Sequence, residues 1–276
     1  MEKLSIVIPA FNEALGITEV LENIRHVMEI ATIPYEIIVV DDGSTDATAV
    51  RARETGATVI TQPENRGYGA ALKTGIHRAR GEMILMLDAD GSYPPVEIPK
   101  LLARAEHYDM VVGARLGPWS RGDVLRRMAK WVLKILADYL TGTKIPDLNS
   151  GMRVFKRDVA MRYFHLLPST FSFTTTLTMA MLSDDLSVKF VPITYTKRVG
   201  KSKIRPLRDS YNFLALVIRT AVYFNPLKVF LPISLCLCLL GAGVLAWRMV
   251  VHRDVAEFEI LTLLLGGQIG LMGLLA

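Results

Sequence analysis

The feature that most constrains this chain is a run of 19 residues without a charged side chain, 229–247, near its C-terminus. In helical form such a run is long enough to cross the ~30 Å hydrocarbon core of a bilayer. A second uncharged run, 260–276, has 17 residues, which is at the lower limit for a span. The two runs predict a C-terminal transmembrane helical hairpin over 229–276, with the rest of the chain outside the bilayer. The abrupt end of the second run leaves open that the natural protein continues.

The charges on either side of the first run predict how the hairpin is oriented. Residues 197–228 contain eight Lys or Arg residues and one acid, whereas the connector 252–259 contains one Arg and three acids. Because cytoplasmic flanks of membrane helices carry the excess of Lys and Arg, the N-terminal part is expected in the cytoplasm. The N-terminus has no charged segment followed by an apolar one, so we expect no cleaved signal peptide. The sequence therefore predicts a multi-pass cell-membrane protein.

Composition excludes several other classes of protein. Hydrophobic residues make up 51% of the 276 residues and the mean hydropathy is +0.31, so the chain is not disordered. The net charge of +5 is concentrated in 197–228, which argues against a nucleic-acid partner. Cys236 and Cys238 are the only cysteines and lie inside the apolar run, so neither a disulfide scaffold nor a zinc motif is expected.

Upstream of the apolar runs, short segments rich in Val and Ile alternate with helical patterns. The predicted strands are 4–9, 35–40, 57–61, 83–87 and 110–112, and the predicted helices are 14–29, 47–54, 69–80 and 95–106. Apolar strands separated by helices are typical of a parallel sheet covered on both faces. The sequence therefore predicts an α/β fold with a mostly parallel sheet.

A polar cluster follows four of the predicted strands, at 9–13, 41–44, 88–90 and 113–115. Parallel strands bring their carboxyl ends to one edge of the sheet, where open α/β sheets bind ligands. Asp88 and Asp90, beside the acidic pair that begins the second cluster, make a hard-oxygen site suited to Mg²⁺ or Mn²⁺ and thus to a diphosphate ligand. Taken singly, each acidic pair is equally consistent with a turn, and Ser44 or Asp46 with a helix N-cap.

Four further segments have patterns of their own, and two of these patterns have two interpretations each. Residues 121–140 form an amphipathic pattern with a basic border, typical of a helix in the membrane interface or of a helix packed on the sheet with a solvated basic side. Residues 208–228 are predicted to form a second interfacial or juxtamembrane helix. Gly266 and Gly270 are spaced for close helix packing, which would also allow a homo-oligomer through the membrane helices, or are scattered on a lipid-facing helix. The segment that begins Gly67-Tyr68-Gly69 resembles a dinucleotide fingerprint but lacks its last glycine and does not follow the first strand, so it is predicted to turn the chain into the next helix.

The order of these motifs along the chain resembles that of the inverting family 2 glycosyltransferases. Among them it is most similar to the polyprenyl-phosphate (dolichol-phosphate mannosyltransferase-like) sugar transferases. The resemblance extends over about residues 4–203 and includes a stretch similar to the family's Asp-x-x-Ser-Gly-x-Arg motif, at 147–153. It implies a GT-A type fold for a cytoplasmic domain, residues 1–207. The Gln-x-x-Arg-Trp motif of processive synthases is absent, so transfer of a single sugar is expected.

The resemblance also implies roles for individual residues. The donor-binding residues that it implies are Pro9, Phe11, Glu13, Val40, Asp42, Asp88, Ala89, Asp90, Arg115, Arg198 and Lys203. Within this set Asp88 and Asp90 would hold the metal, and Asp90, Arg198 and Lys203 are expected to act in catalysis. Two departures from the family pattern leave a third metal contact and the donor sugar open. Ser92 stands where some relatives have Gln, and 171–176 replaces a Gln and a Glu common in mannosyl enzymes.

The expected reaction is transfer of one sugar, with inversion, from GDP-mannose or UDP-glucose to a polyprenyl or dolichyl phosphate. A phosphate monoester with a second pKa of about 6 is largely ionised at neutral pH, so it needs little help from a general base. The five histidines all lie outside the four polar clusters, in agreement with this chemistry. The alternatives are another acceptor, such as diacylglycerol or a glycan, and a non-catalytic membrane protein that binds nucleotide sugar.

Overall fold

A computed structural model describes residues 4–115, 124–196, 222–223, 225–251 and 257–275. Within 124–141 it describes the side chains of residue 131 and residues 134–141. Part of the predicted helix over 208–228 and the whole of the basic segment 197–203 lie outside these ranges.

The described strands form one sheet of seven strands. They are β1 (Leu4–Ala10), β2 (Tyr35–Asp41), β3 (Thr58–Thr61), β4 (Met83–Met86), β5 (Met110–Arg115), β6 (Arg153–Lys156) and β7 (Val188–Ile193). Their order across the sheet is β3-β2-β1-β4-β6-β5-β7. Only β6 is antiparallel to its neighbours β4 and β5, so the sheet is mixed and mostly parallel, as predicted.

Nine α-helices are found in the described parts of the chain. They are α1 (Ile17–Ala31), α2 (Thr48–Glu54), α3 (Tyr68–Arg78), α4 (Ile98–Ala105), α5 (Val124–Thr141), α6 (Arg157–Arg162), α7 (Phe173–Ser183), α8 (Pro226–Val251) and α9 (Glu257–Leu275). A short 3-10 turn, Pro95–Glu97, leads into α4. The five strands and four helices predicted for the first half are confirmed, with ends shifted by up to a few residues. β6, β7, α6 and α7 were not predicted.

Two apolar layers cover the two faces of the sheet, and the mostly apolar strand β1 contributes side chains to both. Ile6 and Ile8 belong to the cluster formed with α1 and α4. Val7, between them, belongs to the cluster formed with α3, α6 and α7. Successive side chains of a strand point to opposite faces, so a strand buried on both faces is mostly apolar. Ser5, the polar residue of β1, is buried and donates a hydrogen bond of 2.6 Å to Glu36 Oε1.

The two C-terminal helices are each long and apolar enough to cross a membrane. They pack on each other through glycines. A Cβ on Gly266 would lie 2.6 Å from Cys238 Sγ, and Ser234 Oγ donates a hydrogen bond of 2.8 Å to the carbonyl of Gly266. Gly270 also faces Ser234. The spacing of Gly266 and Gly270 thus serves close packing within one chain, and a homo-oligomer through these helices stays a prediction.

The hairpin is joined to the α/β domain by specific contacts at the start of α8. Lys228 Nζ donates a hydrogen bond of 2.9 Å to the carbonyl of Leu140, in the last turn of α5. Val229 packs on a small apolar cluster that includes Leu140 and Met179. Because a helix C-terminus carries unsatisfied carbonyls and a partial negative charge, the ammonium group of Lys228 stabilises the end of α5.

Helix α5 accounts for most of the predicted amphipathic segment 121–140. Its last two turns bury Ala137 and Leu140 in the cluster shared with α7. Trp131, Ile135 and Tyr139, four residues apart, are respectively 63%, 47% and 52% exposed. Residues four apart lie on one face of a helix, so α5 presents an uncovered apolar and aromatic stripe on the side away from α7.

Candidate functional site

The four polar clusters lie at one edge of the sheet, as predicted. β1 is parallel to β2 and to β4, and β4 and β5 are both antiparallel to β6, so all four strands end on the same side. The loops that follow them face each other across this edge. In α/β sheets this is the edge at which ligands bind.

The loops after β1 and β2 are held together by a network of backbone and side-chain hydrogen bonds. The backbone N–H of Asn12 donates to Ser44 Oγ at 2.9 Å, and the N–H of Thr45 donates to Asn12 Oδ1 at 2.9 Å. The N–H of Glu13 donates to Thr48 Oγ1 at 2.9 Å. Asn12 has a φ of +54°, a left-handed conformation that Asn tolerates better than most residues. Phe11 and Glu13 are therefore held half-buried at the edge of the sheet.

The N-cap of α2 is Ala47 and neither of the two predicted candidates, although Asp46 contacts the start of the helix. Its Oδ1 accepts a hydrogen bond of 2.9 Å from the backbone N–H of Thr48, the first residue of α2. Burial raises the pKa of Asp46, but its hydrogen bonds with Thr48 and Ala14 outweigh that effect and leave the pKa below its ordinary value. Ser44 instead holds the loop after β1.

Asp42 is buried and holds the turn that leads into α3. Its two carboxylate oxygens accept hydrogen bonds from the backbone N–H groups of Arg66 and Gly67, both at 2.9 Å. Gly67 has a φ of +102°, and a Cβ there would lie 2.6 Å from the carbonyl oxygen of Ser169. The Gly67-Tyr68-Gly69 segment thus turns the chain, as predicted, and a glycine is required at its start.

Pro9 and Val40 lie below the surface of the site. Pro9 is buried within β1, and Val40 is fully buried in the cluster beneath α3. Among the residues implied to bind the nucleoside, Phe11 and Glu13 are the two that reach the half-buried edge. The roles of all five in nucleoside binding stay predictions.

Asp88 and Asp90 lie directly after β4, and hydroxyl groups orient both carboxylates. The hydroxyl of Tyr68 donates a hydrogen bond of 2.8 Å to Asp88 Oδ1. Ser92 donates to Asp90 Oδ1 from its backbone N–H at 3.0 Å and from its hydroxyl at 2.5 Å. Asp88 is half-buried and Asp90 is buried, and Ala89 between them belongs to the core. Ser92, at the position where some relatives have Gln, therefore orients a carboxylate.

The residues present fit a hard divalent cation that keeps much of its shell for water and phosphate. Two carboxylates one residue apart supply oxygen ligands of the kind that Mg²⁺ and Mn²⁺ prefer. In the part of the chain that the structure describes, no group of three or more His, Cys, Asp or Glu side chains could hold a metal ion. Asp41 and Asp42 thus do not join the pair after β4. A protein site limited to two carboxylates suits an ion whose remaining ligands come from a bound diphosphate.

The carboxylate of Asp88 is confined on the side of the Asp-x-x-Ser-Gly-x-Arg stretch. A Cβ on Gly151 would lie 2.2 Å from Asp88 Oδ2, so only glycine fits against this carboxylate. The N–H of Gly151 donates a hydrogen bond of 2.7 Å to the hydroxyl of Tyr93. Burial, followed by the charge of Asp88, raises the pKa of both Tyr68 and Tyr93 above the ordinary value, so both phenols are protonated at neutral pH.

Arg115, the predicted donor-site arginine, is paired with the first residue of the same stretch. Its Nε and one Nη donate hydrogen bonds of 2.7 and 2.8 Å to the two oxygens of Asp147. The guanidinium also lies over the ring of Tyr195, 5.3 Å from its centroid. Burial raises the pKa of Asp147, but the hydrogen bonds and charge of Arg115 outweigh it and keep the pKa below its ordinary value. Both partners are therefore charged at neutral pH.

A second arginine lies fully buried beneath the site. Arg153 donates hydrogen bonds to the carbonyl of Ser150 at 2.6 Å, to the carbonyl of Thr174 at 2.9 Å and to the hydroxyl of Thr178 at 2.8 Å. Burial lowers its pKa to about 10, so it is charged at neutral pH. It adds positive charge below a site rich in carboxylates, and the negative charge of Asp88 favours its protonated form.

The residues directly after β7 lie at this same edge. The N–H of Thr196 donates a hydrogen bond of 3.0 Å to the carbonyl of Ser92, and its hydroxyl donates one of 3.0 Å to the carbonyl of Gly91. The ring of Tyr195 packs edge-on against that of Tyr93. Thr196 is therefore held beside the Asp88–Asp90 loop. Arg198 and Lys203 lie outside the described residues.

The segment 171–176, which departs from the family pattern, divides into an exposed ring and buried hydroxyls. Phe171 is 60% exposed and stacks on Tyr68, with ring centroids 5.4 Å apart and planes 11° from parallel. Thr174, Thr175 and Thr176 are buried in the first turn of α7. Thr175 donates a hydrogen bond to Asn149 Oδ1.

Four residues of this edge received no individual role from the sequence. They are Tyr68, Asp147, Arg153 and Phe171. Asp147 and Arg153 were visible as members of the Asp-x-x-Ser-Gly-x-Arg stretch, whose polar residue types mark it as a site. Tyr68 carried no signal beyond its place in a turn, because the contact with Asp88 depends on how the chain folds back.

Two family models match the chain, one within the α/β domain and the other over the C-terminal hairpin. Residues 5–164 match the family described as Glycosyl transferase family 2. Residues 225–276 match the family described as GtrB C-terminal hairpin, which corresponds to α8 and α9.

Curated proteins match over nearly the whole chain. The low-salt glycan biosynthesis hexosyltransferase Agl6 of Haloferax volcanii is 34% identical over 98% of this chain and 65% of its own length. The undecaprenyl-phosphate 4-deoxy-4-formamido-L-arabinose transferase of Yersinia pestis is 28% identical over 100% of this chain and 87% of its own length. The chain spans between 50% and 65% of the length of the first curated relatives that it matches.

Solved structures share the fold. Glucosyl-3-phosphoglycerate synthase from Mycobacterium tuberculosis, in complex with Mn²⁺, UDP-glucose and phosphoglyceric acid, has a TM-score of 0.62 and 23% sequence identity. The likeness covers 80% of both chains. The α/β domain therefore has a GT-A type fold, as predicted, and is followed by a helical hairpin.

Proposed function

The chain belongs to glycosyl transferase family 2, and on that premise we propose that it is an enzyme that transfers one sugar from a nucleotide sugar to a polyprenyl phosphate. The observation that carries the proposal is the pair Asp88 and Asp90, with both carboxylates oriented by hydroxyls at the ligand-binding edge of the sheet. The donor is GDP-mannose or UDP-glucose. In the transfer, an oxygen of the acceptor phosphate attacks the anomeric carbon in line, with inversion, while the nucleoside diphosphate leaves with the electrons of the broken C–O bond.

Asp88 and Asp90 would hold Mg²⁺ or Mn²⁺, which when bound supplies positive charge beside the departing diphosphate. The chain's own cations add to this charge. Arg115 is held at the site by Asp147. A half-buried charge held in place in this way needs little reorganisation when negative charge develops in the transition state.

Arg198 and Lys203 are proposed to bind the phosphates of donor and acceptor. Their proposed place is supported by the hydrogen bonds of Thr196 with Gly91 and Ser92. These bonds hold Thr196, which precedes Arg198 in the sequence, beside the Asp88–Asp90 loop. Arg198 follows Thr196 by two residues, so chain length alone limits the distance between their Cα atoms to about 7 Å. The segment that begins there carries four Lys or Arg residues between positions 197 and 203.

Phe11 and Glu13 are proposed to contact the nucleoside, with Pro9, Val40 and Asp42 forming the floor and frame of its pocket. This division follows burial, since Phe11 and Glu13 are half-buried and the other three are buried.

A lipid acceptor is supported by the hairpin and by the relatives. The Yersinia pestis relative, whose match covers the whole of this chain, is named as an undecaprenyl-phosphate 4-deoxy-4-formamido-L-arabinose transferase. We propose that α8 and α9 span the cell membrane, that residues 1–207 are cytoplasmic, and that residues 208–228 lie at the interface. The excess of Lys and Arg before α8 favours this orientation.

The uncovered stripe of α5 is proposed to lie in the same interface. Trp131, Ile135 and Tyr139 are exposed on one face, and Trp and Tyr are enriched at the headgroup level of membranes. The contact of Lys228 with Leu140 fixes the end of α5 next to the start of α8. The stripe is therefore carried close to the point at which α8 would enter the bilayer.

The test is transfer of labelled sugar into organic-extractable lipid by the full-length protein in detergent. Labelled GDP-mannose and UDP-glucose are supplied in parallel with polyprenyl phosphate, with Mn²⁺ or with chelator. We expect chelator-sensitive labelling from one donor, loss of labelling in Asp90→Asn, and normal labelling in Asp158→Asn, whose carboxylate is 72% exposed on α6. Equal labelling by Asp90→Asn would contradict the proposed site.

The acceptor is tested by replacing polyprenyl phosphate with the dephosphorylated alcohol or with diacylglycerol. A phosphate acceptor predicts labelling with polyprenyl phosphate alone. Labelling of diacylglycerol would agree with the proposed donor but would contradict a phosphate acceptor. Binding of a nucleoside diphosphate without transfer to any acceptor would favour a non-catalytic nucleotide-sugar-binding protein.

A further inference from the structure

We propose that Tyr68 is a positioning residue that fixes the carboxylate of Asp88 for a divalent cation. The inference rests on the proposed function, because it assigns Tyr68 to the metal site of that function. The juxtaposition that carries it is the hydrogen bond of 2.8 Å from the hydroxyl of Tyr68 to Asp88 Oδ1.

The carboxylate of Asp88 is constrained from two sides by groups distant in sequence. Tyr68 donates to Oδ1, and the backbone of Gly151 lies so close to Oδ2 that a Cβ there would come within 2.2 Å. A carboxylate held in one orientation does not have to be ordered when a cation binds. Hydrogen-bond partners behind metal ligands contribute to affinity for this reason.

Tyr68 is itself held in place by its surroundings, so its hydroxyl is a fixed donor. It is the first residue of α3, directly after the turn that Asp42 binds through Arg66 and Gly67. On the other side its ring stacks on Phe171 at 5.4 Å. These contacts involve the backbone or the ring and not the hydroxyl, so Tyr68→Phe removes the donor and keeps the packing.

The chain offers a matched control in Tyr163. Its hydroxyl also donates to a carboxylate, Asp184 Oδ2, at 2.5 Å. Asp184 directly follows the C-terminus of α7, whereas the contacts of α7 with the site are made by its first turns, at Thr174, Thr175 and Thr178. Tyr163→Phe therefore removes the same kind of hydrogen bond at a place remote from Asp88.

The test is Mn²⁺ binding by the full-length protein in detergent, without sugar transfer. Free Mn²⁺ is measured by its electron paramagnetic resonance signal during titration, in the absence and presence of UDP, for wild type, Tyr68→Phe, Tyr163→Phe and Asp88→Asn. The melting temperature of each variant is measured by intrinsic fluorescence. We expect Tyr68→Phe to raise the Kd for Mn²⁺ about 10- to 100-fold, Tyr163→Phe to leave it within twofold of wild type, and the two to have similar melting temperatures.

Three other outcomes would overturn the proposed role of Tyr68. A Kd within twofold of wild type in Tyr68→Phe, with loss of binding in Asp88→Asn, would overturn the role of Tyr68 and keep the metal site. An equal rise in Kd in Tyr68→Phe and Tyr163→Phe would assign the effect to general destabilisation and would also overturn it. Absence of Mn²⁺ binding by wild type, with and without UDP, would overturn the metal site of the proposed function and this inference with it.

Discussion

Gly151 and Asp88 meet so closely that a Cβ on Gly151 would lie 2.2 Å from Asp88 Oδ2. Gly151 precedes β6, the strand that enters the sheet antiparallel between β4 and β5. The backbone of the Asp-x-x-Ser-Gly-x-Arg stretch thus forms one wall of the proposed metal site. The requirement for glycine here comes from this close approach to a carboxylate.

The methyl group of Gly151→Ala would clash with Asp88 Oδ2, so we expect the Asp88 carboxylate to be pushed out of the orientation in which the hydroxyl of Tyr68 holds it. We expect the Kd for Mn²⁺ to rise by about 10- to 100-fold, as for loss of other groups that orient a ligand. The measurement is Mn²⁺ titration of the full-length protein. Gly243→Ala is the control, because a Cβ there would meet nothing within 4 Å. Unchanged Mn²⁺ binding in Gly151→Ala would show that the close approach of Gly151 does not position the Asp88 carboxylate for the ion.

The strands of the first half were predictable because each is a short segment rich in apolar residues and flanked by turn residues. β6 and β7 were not, for physical reasons that their residues show. β6 contains the buried Arg153, whose charge interrupts the apolar pattern and which donates hydrogen bonds to oxygens of α7 and Ser150. β7 contains Pro192, which argues against a central strand but is tolerated because β7 is the edge of the sheet.

Helix α7 was not predicted because its sequence also lacks a regular hydrophobic pattern. Its residues 173–182 are all buried, so it has no polar face and no helical periodicity of hydrophobic residues. Threonine, which occurs four times among them, also has weak helix propensity. Tertiary packing, together with the hydrogen bonds of Thr174 and Thr178 to Arg153, stabilises this helix.

The acids of the candidate site were predictable because they follow strands, but their partners were not. Tyr68 and Asp88 are separated by 20 positions, and Arg115 and Asp147 by 32. Contacts over such separations depend on the path of the chain and leave no local pattern. The placement of Asp42 on the turn before α3 is of the same kind, since it bonds to residues 24 and 25 positions away.

The pair between Asp147 and Arg115 predicts a pH-dependent contribution to stability. The pKa of Asp147 in the folded protein lies below its ordinary value of 3.8, so its carboxylate stabilises the fold above that value. The contribution is lost as the pH falls through the folded-state pKa. We expect Asp147→Asn to lower the free energy of unfolding by about 2 kcal/mol at neutral pH, as for hydrogen bonds to charged groups.

The measurement is the difference in melting temperature between wild type and Asp147→Asn at pH 8, 5 and 3. The difference should be equal at pH 8 and 5 and smaller at pH 3. Asp158→Asn, whose ion pair with Arg162 is exposed and 3.7 Å long, should differ little from wild type at any of these values. A difference that has already disappeared at pH 5 would contradict a lowered pKa.

Arg153→Lys is expected to destabilise the protein although it keeps the charge. The guanidinium donates to the carbonyls of Ser150 and Thr174 and to Thr178 in a geometry that one ammonium group cannot reproduce. Each buried carbonyl left without a donor costs about 1–3 kcal/mol. The measurement is the melting temperature, with Arg162→Lys, 63% exposed on α6, as the control. An equal melting temperature in both variants would show that these hydrogen bonds add nothing to stability.

Lys228→Met is expected to loosen the junction between the α/β domain and the hairpin. Methionine keeps an apolar stem of similar length, but the hydrogen bond to the carbonyl of Leu140 and the charge at the end of α5 are lost. A cation at a helix C-terminus contributes about 0.3–1 kcal/mol, and up to twice that where it is partly buried. Amide hydrogen exchange of the full-length protein in detergent should therefore become several-fold faster in the last turn of α5, around Ala137 to Thr141. The exchange of β1, in the centre of the sheet, is the internal control and should not change. Faster exchange in both places would indicate global destabilisation, and unchanged exchange in both would show that Lys228 does not stabilise the end of α5.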